Sequence, residues 1–169
     1  MVRHWFEEDL PANDETRAAM ARSLQVLGDL GARCETVRLR PLQDYADVKV
    51  TIAESELYAV HEPELRKRPG DFGYDFLGRA IGACLLSSID YVQAQRQRRR
   101  IFEEMAAIYA RYDLLVTAGP YGPAPRFESH STISFFQKPN ITNPANVTGV
   151  RRWRCATASR RAACRCRSS

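Results

Sequence analysis

The chain has 169 residues, enough for one domain with a real core. Its formal net charge of +5 is concentrated at one end: residues 151–169 hold seven arginines and no acid, which leaves 18 basic against 20 acidic residues in residues 1–150. The body is therefore near neutral, and the basicity belongs to the tail. No apolar run approaches the ~20 residues that span a bilayer, so no membrane segment is expected. The five cysteines (Cys34, Cys84, Cys155, Cys164, Cys166) are odd in number and follow no secretory leader. That pattern fits a reducing compartment, and a cytoplasmic location is expected.

In chain order, Met1–Phe6 reads as the end of a strand followed by a loop. Asn13 is a good N-cap, and Asp14 and Glu15 suit the positive end of a helix dipole. Met20, Leu24, Leu27 and Leu30 supply an apolar face, and Gly31 is placed to stop the helix. Ala32 to Leu39 alternates and predicts a strand. Strand, helix and strand in about 40 residues point to an α/β class. A second helix is predicted from about Asp44 to His61, with Glu62-Pro63 and Arg68-Pro69-Gly70 as breakers, and a third over Asp71–Leu86. Next comes a long helix that Ser88 or Asp90 can cap, striped by Ile101, Met105, Ile108 and Tyr112. It leads through Asp113 into Leu114-Leu115-Val116, a run fit for a central strand. From Ala118 onward glycine and proline make an irregular crossing, Ser131–Phe136 is polar and aromatic, and Pro139–Gly149 is turn-rich.

Isolated residues offer little chemistry. His61-Glu62 lacks the second histidine of a zinc-protease helix, because position 65 is leucine; no metal is expected there. Cys164-Arg-Cys166 lacks the two-residue spacer of a zinc knuckle. Ser87-Ser88 has no Gly-x-Ser-x-Gly elbow and reads as a helix cap. Glu54 and Glu56 lie two apart on a helix and face different ways, which makes them poor acid–base partners. Asn140-Ile-Thr142 and Asn146-Val-Thr148 match the glycosylation triplet without a leader to expose them to the machinery. Arg96, Arg98, Arg99 and Arg100 spread around the long helix at about 100° per residue, so at least one leans toward the protein or a ligand. The 22 arginines against three lysines look like the mark of a GC-rich genome.

Several stretches together resemble the amidase signature family, serine hydrolases of amides that include the A subunits of tRNA-dependent amidotransferases. Asp90-Tyr-Val-Gln-Ala-Gln-Arg-Gln-Arg98 is similar to the family's D-Y-x-x-A-Q-R-x-R helix. Tyr112-Asp-Leu-Leu-Val-Thr-Ala118 is similar to its Y-D-x-L-[LV]-T-P strand, and Thr142-Asn-Pro-Ala-Asn-Val-Thr-Gly149 to its T-x-P-x-N-x-[AT]-G loop. Ala53-Glu-Ser-Glu56 and Arg68-Pro-Gly-Asp-Phe-Gly73 fall in the same order. The resemblance covers residues 2–150. It implies an α/β/α sandwich with a mixed sheet, and hydrolysis of a carboxamide C–N bond in the parent family, without a cofactor.

The resemblance also implies an absence. The family's nucleophilic serine, bridging serine and lysine base lie N-terminal to the matching region, in and upstream of a Gly/Ser-rich run. A proton relay and glycine N–H groups for an oxyanion hole are what that chemistry requires. This chain has no Gly-Gly-Ser-Ser-Gly run, so no catalytic residue carries over. Some members hold substrate with an arginine on the long helix, which by position is Arg98. The acidic partner known in the amidotransferase branch finds only Pro139-Asn140 near its place.

After Gly149 the family's apolar P-A-L-x-V strand and G-L-P segment give way to Arg151-Arg-Trp-Arg-Cys155. With GC-biased codons, reading from the third base of the Val150 codon restores a family-like strand and Gly-Leu-Pro, so a frameshift is expected. The organisation expected is a partial amidase domain over residues 1–150, the C-terminal half of the parent, and an aberrant, disordered Arg/Cys-rich tail over 151–169. Alone, the chain is expected to be inactive, with the missing N-terminal half as its packing partner and a small amide as the parent's substrate. The alternative is a binding protein whose tail grips nucleic acid or an acidic partner with salt-sensitive phosphate contacts. The tail's single aromatic, Trp153, and the lack of a nucleic-acid motif argue against it.

Overall fold

The computed structural model describes residues 1–119 and 137–150. Residues 120–136, which hold the polar–aromatic stretch and most of the expected crossing, and the whole Arg/Cys-rich tail lie outside the described residues. Among the described residues, a wide N-terminal turn, Trp5–Asp9, is followed by α1 Asp14–Asp29, α2 Leu42–Lys67, α3 Tyr74–Ala83, α4 Ser88–Tyr109 and α5 Asn143–Thr148.

The expected α/β class is overturned: the described residues contain helices and no strand. The segments expected to be strands run alongside the N-terminus without forming a ladder. The Val2 N–H donates to the Val116 carbonyl and the Val37 N–H to the Met1 carbonyl, each at 2.9 Å. The terminal ammonium donates to the Glu35 carbonyl at 2.6 Å. Sheet pairing needs a repeated series of such bonds along both chains. One or two bonds per neighbour do not make one. Trp5 and Phe6, expected near a strand end, curl instead into the wide turn and are buried.

The helices follow local chemistry more closely. Asn13 caps α1 by accepting from the Thr16 N–H at 2.8 Å, and Gly31 takes the left-handed conformation just beyond it (φ 91°). In α4 the cap is Ser87, one residue before the expected Ser88. Ser87 Oγ accepts from the Asp90 N–H, while the Asp90 carboxylate accepts from the Ser87 N–H, a complete capping box. The Asp90 carboxyl is held below its ordinary range by these Ser87 donors. The second helix runs longer than expected, through Pro63 to Lys67. Its first turn has no side-chain cap of its own. Asp9 supplies one from the N-terminal turn, accepting from the Leu42 N–H at 2.7 Å.

The core lies between the front of α2 and the back of α4. Leu42, Tyr45 and Val48 meet Ile101 and Met105, with Val2, Trp5 and Val147 closing the sides. Trp5 stands edge-on to Tyr45 at 5.7 Å between ring centroids and donates its indole N–H to the Arg40 carbonyl at 2.8 Å. Burial pushes the Tyr45 hydroxyl up to about 12. Outside this core, Arg40 binds Glu104 bidentately, with both contacts at 2.6 Å, and reaches Asp44 at 3.2 Å. A smaller cluster, Phe6, Ala12, Met20 and Ala118, seats α1.

Two outcomes follow. Ile101 is fully buried and Ile89 is 69% exposed. Ile101→Ala should therefore lower unfolding stability by about 2–5 kcal/mol and Ile89→Ala by less than about 0.5 kcal/mol, read from urea midpoints. The Arg40 hydrogen bonds hold the Glu104 carboxyl below its ordinary 4.5. A depressed carboxylate adds stability that is complete above the unfolded value and lost as pH falls through the folded one. Stability should thus drop below pH 4.5, and Glu104→Gln should flatten part of that drop in urea titrations run from about pH 6 to about pH 3.

Candidate functional site

Three of the five motif segments singled out in the sequence lie on helices that touch one another: 53–56 on α2, 90–98 on α4 and 142–149 over α5; 68–73 makes a short turn between α2 and α3, and 112–118 runs on after α4 outside any helix. Their side chains meet in two places. The first is a cleft of about 330 Å³ lined by Ser55, Glu56, Tyr58 and Ala59 of α2, Ala83 and Leu86 at the end of α3, and Ser87, Ser88 and Tyr91 at the start of α4. The Tyr91 hydroxyl donates to Glu56 Oε1 at 3.2 Å and accepts from Gln95 Nε2 at 2.9 Å. This chain of donors ties the two motif helices across the cleft.

The cleft is shaped for contact rather than for nucleophilic attack. An activated serine needs a base within hydrogen-bond reach. Ser55 Oγ instead donates to the Thr51 carbonyl at 2.7 Å, and Ser87 Oγ to Asp90 Oδ2 at 2.7 Å within the capping box. Neither histidine nor lysine lines the cleft.

The paired glutamates face apart, as their spacing requires. Glu56 is exposed to the cleft, whereas Glu54 is buried and bound by Arg79 of α3 at 3.3 Å. Lys49, one turn back on α2, has its ammonium pKa lowered, first by burial and then by Arg79, with Glu54 opposing. His61 packs edge-on against Phe76 at 5.1 Å and near Phe72 at 6.0 Å, an aromatic corner between the end of α2 and α3.

The second meeting place involves the arginine-rich turn of α4. Arg98 is exposed overall, but its Nε donates to the Val147 carbonyl at 2.8 Å, which ties α4 to α5. Arg99 pairs along its own helix with Glu103 at 2.7 Å. So one arginine of the cluster does lean onto the protein. In the 142–149 loop, the Asn140 side chain accepts from the Thr142 N–H at 2.8 Å, and Thr148 Oγ1 donates to the Pro144 carbonyl at 2.7 Å. Gly149 then ends α5 in the left-handed region (φ 72°), a conformation that disfavours a side chain. Both threonines of the glycosylation triplets therefore brace this loop. Asn143 is buried, and its amide has no partner among the described residues.

The Glu56–Tyr91–Gln95 line was not foreseen as a unit. Its members belong to two recognised motifs, but Glu56 and Tyr91 are 35 residues apart, and only the packing of α2 on α4 joins them.

The described lining of this cleft joins motif residues of α2 and α4, with no histidine or lysine beside its serines. Comparison with known proteins bears on what that cleft belongs to. The chain is similar to an amidase from Pseudomonas putida, 30% identical over 146 residues, which covers 80% of this chain and 31% of that protein. The chain thus spans about a third of the length of the curated relative it matches. No family model matches the chain, and no solved structure does. No helix among the described residues is long and apolar enough to cross a membrane.

Removing the Arg98 tether gives a direct check. Arg98→Ala should lower stability by about 1 kcal/mol and speed amide hydrogen exchange in residues 142–149. Unchanged exchange there would show that the Val147 contact does not hold the loop.

Proposed function

We propose that this chain is the C-terminal part of an amidase-type hydrolase and supplies one wall of its pocket, not its reacting groups. The observation that carries this reading is the similarity to the Pseudomonas putida amidase along most of the chain. Supporting it, the motif segments at 53–56, 90–98 and 142–149 belong to helices in mutual contact, as parts of one functional wall must be. The reaction would be attack on a carboxamide carbonyl with loss of the amine. The serine nucleophile, bridging serine and lysine base would come from the partner portion that the relative's greater length represents. The domain over residues 1–150 would then pack on that portion, and residues 151–169 would be an out-of-frame replacement for its continuation.

Within this reading Arg98 holds the substrate. Its Nε is taken by the Val147 carbonyl. The two terminal nitrogens remain as the pair that can grip a carboxylate or carbonyl bidentately. The tether would thereby aim the guanidinium.

The test has two arms. The purified chain should release no ammonia from benzamide above a protein-free blank. A chimera in which residues of this chain replace the matched 146 residues of the Pseudomonas putida amidase should hydrolyse that amidase's substrate at a reduced rate. Arg98→Ala in the chimera should raise KM more than it lowers kcat, because uniform binding is what it removes. A chimera that folds with a sharp thermal transition yet shows no hydrolysis would overturn the reading, as would ammonia release by the chain alone.

A further inference from the structure

Large apolar side chains stand exposed along α3, in the turn after it and in the first turns of α4. Tyr74 is 93% exposed, Ile81 65%, Leu85 82%, Ile89 69% and Val92 46%. Tyr74 and Ile81 are seven residues apart on one face of α3. Leu85 follows in the turn, and Ile89 and Val92 share a face of α4 three residues apart. From Phe76 to Ile89 the only charged residue is Arg79, and its guanidinium turns inward to the buried Glu54 at 3.3 Å. The outer side is therefore stripped of charge, while the inner side carries the ion pair. That is the reverse of a helix pair built to face water.

A depression of about 240 Å³ opens beside Ser88, Ile89, Val92, Gln93 and Arg96, large enough to seat one or two partner side chains.

We propose that the face formed by Tyr74, Ile81, Leu85, Ile89 and Val92 docks against the remaining two thirds of an amidase-type protein, as a heterologous interface and not as a dimer contact. The occupant follows from length: the matched relative is about three times as long as its match to this chain. A protein of that size must cover apolar surface that its last third exposes in isolation. The proposal rests on the amidase reading of the preceding subsection and adds the surface through which the two portions meet. The apolar residues exposed elsewhere, Val26 on α1, Leu30 just after it, Val60 on α2, Phe102 and Tyr109 further along α4 and Leu114 after α4, are not part of this face.

The experiment co-expresses the tagged full chain with the part of the Pseudomonas putida amidase outside the match, followed by capture on the tag and sedimentation of the purified chain alone. The expected result is a captured complex. Ile81→Glu with Leu85→Glu and Ile89→Glu should reduce it about tenfold or more, while Val26→Glu with Leu30→Glu leaves it within about twofold. Because the three substituted residues are exposed in the chain alone, its circular dichroism and urea midpoint should stay unchanged, which separates lost docking from lost folding. No capture, or capture indifferent to the triple substitution, overturns the proposal. So does a chain that sediments as a dimer dissociated by the triple substitution, because a second copy then covers the face. Docking that succeeds while the chimera is inactive would leave this interface standing and remove the amidase reading. An active chimera with no face-dependent capture would do the opposite.

Discussion

The structure depends on one seam, the burial of Ile101 and Met105 of α4 against Leu42, Tyr45 and Val48 of α2. Everything else is registered on it. Trp5 closes one side by packing on Tyr45 and donating to the Arg40 carbonyl, so the N-terminal turn is pinned to the start of α2. Asp9 of the same turn supplies the cap that Pro41 cannot. Val147 closes the other side and brings α5 with it. Apolar contact supplies the drive here, and polar groups set the register. The Arg40–Glu104 pair, half-exposed, is worth little as an attraction, but its bidentate geometry fits the register that the core contacts set.

That register has a functional consequence. With α4 fixed on α2, Tyr91 falls opposite Glu56 and the cleft forms between them. With α5 held by Val147, its carbonyl falls within reach of Arg98. The motif residues are thus placed by core contacts made further along the same helices. Two of the cleft's serines are engaged: Ser55 donates to the Thr51 carbonyl and Ser87 to the Asp90 carboxylate of the cap.

Two helix starts were legible from local chemistry. Asn13, Asp14 and Glu15 announced α1, which Gly31 ended where φ turns positive, and the start of α4 fell within a residue of the expected Ser88. The short helix α5 was not legible, because Pro139–Gly149 read as turn-rich. The expected sheet was not legible in the same way. Alternation in Ala32–Leu39 and the apolar run Leu114–Val116 show only that a segment can lie extended with one side covered. Whether it becomes a strand depends on a partner at the right height along many residues, and residues 1–2 offer one or two bonds to each neighbour and no more. The breaker reading of Glu62-Pro63 failed for a related reason: a proline removes one N–H, and a helix already anchored along its length carries through it.

By itself the sequence determined α1 with its Asn13 cap, the apolar stripe of α4, the charge imbalance between body and tail, the absence of a Gly/Ser-rich run, and a motif order that resembles an amidase's. These are properties of neighbours within a few residues, where local hydrogen bonding and periodicity decide the outcome. Tertiary structure alone decided which arginine of the cluster touches the protein, that Glu54 turns inward to Arg79 while Glu56 meets Tyr91, and that the extended segments remain unpaired. Each of those pairs residues roughly 25 to 115 positions apart, and no local rule reaches so far. Only the packing of α2 on α3 and α4, and of α4 on α5, brings the side-chain pairs together.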